Sequence, residues 1–226
     1  MLSGGIDSVY TLYRLLKETD DEILVHHVHH INNSNRHIPE RAACEKIIAY
    51  CQEEVRPFAY TQSAMDRRRF LAHGQDIVAA GFEAGVVAAS YYLATSKYID
   101  RWMIGLANDD QLPRHRVKHA QDCCEYNCQA GNAPELFLYP PVSLQDQIDY
   151  LPSELVEMSW SCRNPVIKED EKAEICGKCE ACQRRSTIGK SKTSSPKAAE
   201  VLIPLPWPMV LRRGEERAEA ARRRGR

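Results

Sequence analysis

The sequence predicts an α/β fold, a Rossmann-like doubly wound parallel sheet with a small cysteine-rich segment on its C-terminal side. Three observations support this prediction. The hexapeptide SGGIDS, at residues 3–8, is a glycine-rich turn that leads directly into a helical pattern. Short apolar runs then alternate with helical periodicities, which is typical of parallel sheets with crossover helices. Four closely spaced cysteines follow the last apolar run.

Length, charge and cysteine content bound the class of protein. The 226 residues suffice for one large domain or a domain with a small appendage, and no run approaches the roughly 18 apolar residues of a membrane span. No signal peptide is visible, and nine cysteines without one indicate reduced thiols, so we expect a cytoplasmic protein. Residues 212–226 contain seven arginines and three glutamates, a net charge of +4, whereas the whole chain carries −1. The acidic remainder disfavours general nucleic-acid binding, except through this basic tail.

The SGGIDS turn has the composition of a phosphate-binding loop. Two adjacent glycines let the backbone approach a ligand closely, because no Cβ stands in the way. Asp7 and Ser8 then open a run with apolar residues at helical spacing, namely Val9, Leu12, Leu15 and Leu16. The N–H groups at such a helix start, with the positive end of the helix dipole, attract phosphate. An ordinary turn with an Asp/Ser cap is the simpler alternative.

Further elements follow in chain order. Only Met1 and Leu2 precede the loop, so the strand expected to lead into it is either very short or cut off at the start. Residues 22–31 predict a strand that carries four histidines, with His27 and His29 on one face and His26 and His30 on the other. Metal binding by these histidines is an option, but strand pairing and core packing are favoured.

Apolar periodicity assigns most of the remaining chain. Pro39 begins a helix that reaches residue 52, and Ser153 is a candidate cap for a short helix at 153–158. A long alanine- and valine-rich helix is predicted at residues 75–98, and its small residues suggest close packing against the sheet. Residues 109–134 have no convincing apolar period, and we expect a ligand-covering loop there. Strands are predicted at residues 56–61, 101–108 and 136–139.

The four cysteines form a second constellation. Cys162, Cys176, Cys179 and Cys182 read C-x13-C-G-K-C-E-A-C, a spacing that fits a closed tetrahedral zinc site with four thiolate ligands. An iron–sulfur cluster and a redox pair are competing interpretations that the spacing alone leaves open.

Both constellations resemble those of known families. SGGIDS is similar to the SGGxDS pyrophosphate loop of the PP-loop ATP pyrophosphatases, the N-type family. The segment SWSCRNP at residues 159–165, with CGKCEACQRR at 176–185, resembles the C-terminal signature of the 7-cyano-7-deazaguanine synthase (preQ0 synthase) family. Arg36-His37, Glu40 and the alanines at 42–43 are also similar to that family's segment after its second strand.

The resemblance implies an activity and its cofactors. The family belongs to the adenine nucleotide alpha-hydrolase-like fold and makes 7-deazapurines of queuosine biosynthesis. With ATP, Mg²⁺ and ammonia, it converts 7-carboxy-7-deazaguanine to the nitrile through adenylation of the carboxylate. The resemblance thus implies an ATP-dependent ligase with structural Zn²⁺, a deazapurine carboxylic acid as substrate, no membrane partner, and a homodimer as an option.

The resemblance and the chemistry of the residues together give candidate site residues. Asp7 and Ser8 are the candidate catalytic residues, and ATP is expected to contact Leu2, Ser3, Gly4, Gly5, Asp7 and Ser8. The acid is expected to meet Trp160, Arg163, Arg36 and His37, since an indole offers a flat apolar face and a guanidinium pairs with a carboxylate. For Trp160 the alternative role is that of a core anchor for the zinc-binding segment. Zinc is expected on Cys162, Cys176, Cys179 and Cys182. These assignments divide the chain into a nucleotide-binding domain at 1–158, a zinc-binding segment at 159–190 and a disordered basic tail at 191–226.

Some positions depart from the family pattern. Residues 88–90 read Ala-Ala-Ser where the family has Gly-Arg-Asn, and Gln145-Asp146 stands where a lysine is usual. These departures leave two alternatives, a PP-loop enzyme that adenylates another acid or modifies tRNA, and a non-catalytic nucleotide-binding relative. His115, His119 and Cys123 share one helix face at i, i+4 and i+8; a second metal site and a loop with free thiols are the two interpretations.

Overall fold

The computed structural model describes residues 1–70, 72, 74–106, 114–128, 131–140, 142–168 and 172–187. They belong to one compact unit, Met1–Ile188, which contains the predicted nucleotide-binding domain and all but the last two residues of the cysteine-rich segment predicted at 159–190. A second unit, Gly189–Arg226, contains the predicted basic tail and lies outside the described residues. The helices are α1 (Ile6–Glu18), α2 (His37–Glu54), α3 (Asp76–Thr95), α4 (Arg114–Tyr126), α5 (Leu144–Tyr150), α6 (Ser153–Met158) and α7 (Glu180–Thr187). The strands are β1 (Leu24–Ile31), β2 (Ala59–Asp66), β3 (Arg101–Met103), β4 (Glu135–Phe137), β5 (Val166–Ile167) and β6 (Ala173–Glu174).

The strands confirm a mixed α/β fold with small parallel sheets. β1 pairs with β2 and β3 pairs with β4, both in parallel, while β5 and β6 form a small antiparallel pair. A single doubly wound sheet is not confirmed, because the described strands pair only in twos. Met1 and Leu2 lie between the two parallel pairs: Leu2 N–H donates to His26 O at 2.8 Å, and the Met1 amine donates to Met103 O at 2.8 Å.

The main core forms between α1, α2 and the start of β1. On α1 the helical spacing seen in the sequence buries Val9, Leu12 and Leu16, and these contact a cluster that includes Ile47 of α2 and Leu155 of α6. The predicted apolar face of α1 is therefore the face that packs. This packing fixes the start of α1, and with it the glycine turn, against the body of the molecule.

The histidines of β1 pack and pair within the fold. Both faces of the strand are covered, so His26 and His27 are each less than 5% exposed. His26 Nδ1 lies 2.8 Å from Thr61 Oγ1 and its Nε2 lies 3.0 Å from Ser63 Oγ, whereas His27 Nδ1 lies 2.8 Å from Leu2 O. Burial lowers the pKa of both imidazoles to about 4. These contacts are those of strand pairing and core packing, the interpretation that the sequence favoured.

Helix α3 packs on two sides, of which the sequence predicted only the one that faces the sheet. Its small residues contact α4 as well as the sheet: Ala84 packs in one cluster with Trp102 of β3, while a Cβ on Gly81 would lie 2.1 Å from Ala120 O and one on Gly85 would lie 2.4 Å from Cys124 O. Residues 114–126, expected to be part of a ligand-covering loop, form helix α4. The buried positions of this helix are Ala120 and Cys124, and most of its other residues are polar, so it contains no apolar run that would mark it.

Helix α3 bears on the expectation that no run in the sequence approaches the apolar length of a membrane span. By length and composition alone it could cross a membrane, a property it shares with the core helices of many soluble proteins. Within the structure it carries Glu83, which accepts a hydrogen bond from Ser63 Oγ at 2.9 Å.

Two short helices differ in detail from the sequence prediction. Helix α5 was not predicted; Ser143 and Asp146 form a capping box at its start. Ser153 is the first residue of α6 and not its cap, because Pro152 occupies the cap position and Ser153 Oγ donates to Glu154 Oε2 at 3.1 Å. Both helices pack on the main core, and α6 leads directly into residues 159–162.

Candidate functional site

The glycine turn has the backbone conformation that its sequence suggests. Gly4 adopts a φ of +79°, and a Cβ there would lie 3.1 Å from Glu40 O and 3.2 Å from Cys44 Sγ. Only glycine fits this position without strain. Gly5 is the N-cap of α1 and provides no side-chain cap, so the first turn of the helix lacks the usual side-chain acceptor.

Two hydroxyl groups hold the turn closed. Ser8 Oγ donates to Gly5 O at 2.9 Å and accepts from Ser3 N–H at 3.1 Å, while Ser3 Oγ and Ser8 Oγ lie 3.0 Å apart. Ser8 is buried and Ser3 is exposed. The structure therefore gives Ser8 an organising role, and leaves the Ser3 hydroxyl at the surface of the turn.

A third glycine, Gly105, packs closely against the turn. Gly105 follows β3, and a Cβ at this position would lie 2.2 Å from both the carbonyl carbon and the carbonyl oxygen of Asp7. Such an approach excludes every residue with a side chain unless the backbone moves. The carboxyl end of β3 therefore lies directly against the start of α1, at the sheet edge where open α/β folds bind ligands.

A cavity of about 790 Å³ opens in front of the turn. This volume is in the range of small-molecule sites. Most of the predicted nucleotide and substrate residues line it, namely Leu2, Ser3, Gly5, Asp7, Ser8, Arg36, Trp160 and Arg163. Gly4 and His37 are not among the lining residues. His37 is partly buried, and burial lowers the pKa of its imidazole.

The two ends of the described chain meet at this cavity. Trp160 N–H donates to Gly4 O at 2.8 Å, and its indole Nε1–H donates to Cys162 O at 3.0 Å. Arg185 of α7 donates to Ser159 O at 3.2 Å and to Val156 O at 3.0 Å. Trp160 is thus both an anchor of the cysteine-rich segment and part of the cavity wall.

The four cysteines converge on one point. Their sulfur atoms all lie within 4.8 Å of one another, and they are the only such group of three or more potential ligands in the described part of the chain. Cys176 N–H donates to Cys162 Sγ at 3.3 Å, and Cys179 N–H donates to Cys176 Sγ at 3.3 Å. Gly177, with a φ of +66°, provides the sharp turn between Cys176 and Cys179. These four residues could hold a zinc ion as a closed tetrahedral site.

The four thiols differ in acidity, since burial raises the pKa of Cys162 and, with neighbouring thiols, raises that of Cys182 to about 12. Burial alone would raise the pKa of the Cys179 thiol, but N–H groups of Arg163 and Cys182 and the neighbouring thiols lower it to about 6. N–H groups of Lys178 and Cys179 likewise lower the pKa of Cys176. A thiolate is the form that binds metal. None of the nine cysteines forms a disulfide in the structure.

The histidine and cysteine cluster of residues 115–123 does not converge in this way. His115 and His119 lie on helix α4 with ring centroids 5.7 Å apart in an edge-to-face arrangement. Cys123 instead lines a separate, shallower cavity with Phe70 and Phe82.

Several cavity residues were not predicted from the sequence. Arg116, on the first turn of α4, lines the cavity and has a buried Nε without a hydrogen-bond partner. Asp76, at the start of α3, accepts from Arg36 at 2.6 Å, and that guanidinium lowers its pKa although burial opposes the shift. Glu40 also lines the cavity, and burial raises the pKa of its carboxyl group to about 7. Of these three residues, only Glu40 was singled out in the sequence, as part of the segment after the second strand that resembles the family.

Comparison with known proteins identifies no relative. No family model matches the chain, and neither the curated proteins nor the solved structures contain a significant match. The function of the site is therefore argued from its geometry and its sequence motifs.

Proposed function

We propose that this protein is an ATP-dependent ligase that converts 7-carboxy-7-deazaguanine to 7-cyano-7-deazaguanine with ammonia. One observation carries the proposal: the SGGIDS turn and residues 160–163 line the same cavity and are joined by the hydrogen bond from Trp160 to Gly4. The two motifs that resemble the 7-cyano-7-deazaguanine synthase family lie far apart in the sequence. Their meeting at one cavity is what an enzyme that brings ATP to an acid requires.

The proposed reaction has two stages with the same first step. A carboxylate oxygen attacks the α-phosphorus of ATP, the bond to the β-phosphate breaks, and pyrophosphate leaves. Ammonia then attacks the acyl carbon, AMP leaves with one carboxylate oxygen, and a proton is released, which yields the amide. In the second stage the amide oxygen attacks another ATP in the same way. Loss of AMP with the former amide oxygen, and of both amide protons, then yields the nitrile.

The nucleotide side of the cavity has the residues that this chemistry needs. The uncapped first turn of α1 presents N–H groups to a phosphate, and Ser3 provides an exposed hydroxyl. Arg116 adds a positive charge from α4. Asp7 lines the cavity beside them and is our candidate for contact with Mg²⁺, which would neutralise phosphate charge when bound.

The acid side is formed by the cysteine-rich segment. Trp160 contributes part of the wall, and Arg163 provides a cation for the carboxylate. Four thiolates leave zinc no open coordination position, so zinc would hold residues 159–163 in place without taking part in the reaction. We also propose that the two parallel strand pairs, with Met1 and Leu2 between them, correspond to the doubly wound sheet of this fold class.

The proposal is tested by incubating the full-length, zinc-loaded protein with ATP, Mg²⁺, ammonium and 7-carboxy-7-deazaguanine. AMP and the nitrile are then quantified by mass spectrometry. AMP that forms only when the acid is present supports the proposal, and absence of acid-dependent AMP from folded protein contradicts it.

A matched pair of variants tests the acid side of the site. Arg163→Gln is expected to raise the KM for the acid while the KM for ATP stays near that of the wild type. Arg68→Gln is the control, since Arg68 is exposed and pairs with Asp66 outside the cavity lining.

A further inference from the structure

One wall of the cavity carries an ion pair with unused hydrogen-bonding capacity. Arg36 and Glu40 lie one turn apart at the start of α2, with Arg36 Nε 3.6 Å from Glu40 Oε1. At this distance the charges attract without a hydrogen bond, and Arg36 Nε is buried with no hydrogen-bond partner. The described residues give the Glu40 carboxylate this ion pair and no hydrogen bond, although its side chain is only 15% exposed.

Such an arrangement is unfavourable unless something completes it. Nearly all buried polar groups in proteins have hydrogen-bond partners, and an unsatisfied one costs about 1–3 kcal/mol, more when it is charged. The other end of the Arg36 guanidinium is fixed, because Nη2 donates to Asp76 Oδ2 at 2.6 Å. Arg36 therefore cannot turn away to find a different partner without breaking that ion pair.

The unused groups have a defined chemical pattern. Glu40 offers two acceptor oxygens, and Arg36 Nε–H offers one donor beside them. A ligand that satisfies all three presents two adjacent donors followed by an acceptor along one flat edge. Arg163, which also lines the cavity, is near enough to Glu40 for its charge to lower the pKa of that carboxyl group, although burial remains the larger influence.

We propose that Arg36 and Glu40 are a specificity-determining pair that reads the pyrimidine edge of a 2-aminopyrimidin-4-one ring. Glu40 accepts from the exocyclic 2-amino group and the ring N1–H, and Arg36 Nε–H donates to the ring carbonyl oxygen. The inference rests on the proposed function only for the identity of the acid that carries this ring.

The same pattern is matched less completely by the other purine in the reaction, adenine. The corresponding edge of adenine has an amino donor next to a ring nitrogen that is an acceptor. Adenine can therefore offer Glu40 one donor and Arg36 one acceptor, but it has no second donor, and one oxygen of the Glu40 carboxylate stays unpaired. The pair would thus favour the deazaguanine over ATP at this wall of the cavity.

The test measures binding without turnover. Full-length, zinc-loaded protein is titrated calorimetrically, in the absence of ATP, with 7-carboxy-7-deazaguanine and with the analogue that lacks the 2-amino group. The wild type is expected to bind the first about 10- to 100-fold more tightly, because the analogue leaves a charged acceptor unpaired. Equal affinity for the two ligands would overturn the inference, whatever the variants do.

Two isosteric variants on α2 assign the discrimination to one residue. Glu40→Gln is expected to weaken binding of the 2-amino compound about tenfold or more and to remove most of the preference over the analogue. Glu45→Gln, which removes an exposed carboxylate paired with Arg41, should leave both affinities unchanged. A Glu40→Gln protein that keeps the full preference would contradict the assignment, and so would one in which only ATP binding is altered.

The outcomes separate this inference from the proposed function. If the protein forms acid-dependent AMP but binds both ligands equally, the activity stands and the recognition pair does not. If it discriminates between the ligands but forms no AMP, the recognition pair stands and the activity does not. If it binds neither ligand, the recognition pair is overturned.

Discussion

Gly4 and Gly5 are adjacent but constrained by different physics. Gly4 has a φ of +79° and tight contacts at its missing Cβ, so alanine there should lower the free energy of unfolding by about 1–2 kcal/mol. Gly5 has an extended backbone, and its added Cβ would make ordinary contacts of 3.5–3.9 Å. We expect Gly5→Ala to change stability by less than about 0.5 kcal/mol but to weaken ATP binding about tenfold, because the Cβ occupies the space a phosphate approaches.

Urea unfolding and ATP titration of the two variants check this prediction, and each variant serves as the control of the other. Wild-type ATP affinity in Gly5→Ala would show that the turn is not a phosphate site. Wild-type stability in Gly4→Ala would contradict the backbone assignment.

Glu40 predicts a measurable effect of pH on stability. Burial raises the pKa of this carboxyl group from 4.5 to about 7, so between these values the folded protein binds more protons at Glu40 than the unfolded chain does. Glu40 therefore destabilises the fold as pH rises from about 4.5 to 7, and fully above that range. Glu40→Gln removes this contribution, and it should increase the free energy of unfolding at pH 8 relative to the wild type by more than it does at pH 5.

Chemical denaturation of both proteins at the two pH values measures this difference directly. The comparison between wild type and variant cancels the buried histidines, whose lowered pKa values affect both proteins in the same way. An identical difference at pH 5 and pH 8 would mean that Glu40 titrates normally.

Whether a residue of the site could be predicted from the sequence depends on how far along the chain its contact partners lie. The SGGIDS turn could be predicted because its conformation depends on residues within one turn of the chain. Gly105 and Arg116 could not, since the reason for each lies in a contact with a distant segment or in a cavity formed by several elements. A glycine in an apolar run and an arginine in a polar helix have no distinctive pattern before the fold is known.

At the scale of elements, apolar residues in the sequence predicted strand β1 and helix α2 but not the mostly polar helix α4. The strand predicted at 22–31 is β1 (Leu24–Ile31), and the helix predicted from Pro39 to residue 52 is α2 (His37–Glu54). The strand predicted at 56–61 lies later in the structure, as β2 (Ala59–Asp66), because most of its side chains face solvent and its apolar pattern is weak. Helix α4 has only Ala120 and Cys124 in the core and is otherwise mostly polar, so no apolar run marked it.

The contact between α3 and α4 predicts an exception to helix propensity. Replacing a helical glycine by alanine normally stabilises a helix by about 1 kcal/mol. At Gly81 the new Cβ would lie 2.1 Å from Ala120 O, so the helices must separate, and we expect Gly81→Ala to lower the free energy of unfolding by about 1–3 kcal/mol. Ser90→Ala, on an exposed position of the same helix, should be neutral or slightly stabilising. Thermal unfolding of both variants tests the contact, and a stabilised Gly81→Ala protein would exclude it.

At the scale of the whole molecule, the sequence indicated two motifs and the fold supplies their relation. The cysteine spacing predicted a four-ligand group, and the structure brings the four sulfur atoms within 4.8 Å of one another. The sequence could not show that Trp160 N–H donates to Gly4 O, because this bond joins residues more than 150 positions apart in the chain. Through this hydrogen bond, residues 160–162 connect the glycine turn to the cysteine cluster.

This connection predicts that metal removal reaches the glycine turn. Cys162 lies two residues after Trp160 and accepts N–H of Cys176 at 3.3 Å, so zinc on the four cysteines would fix residues 160–162 in the position that contacts Gly4. Cys176→Ser is expected to release about one zinc per chain, because metal binding and local folding are coupled. Amide exchange of residues 3–8 and 160 should then accelerate, and ATP affinity should fall. Cys123→Ser, whose thiol lies outside the cluster, is the matched control and should keep both zinc and exchange protection. Iron with acid-labile sulfide in the purified protein would contradict the zinc assignment, and loss of zinc with unchanged protection of residue 160 would contradict the coupling.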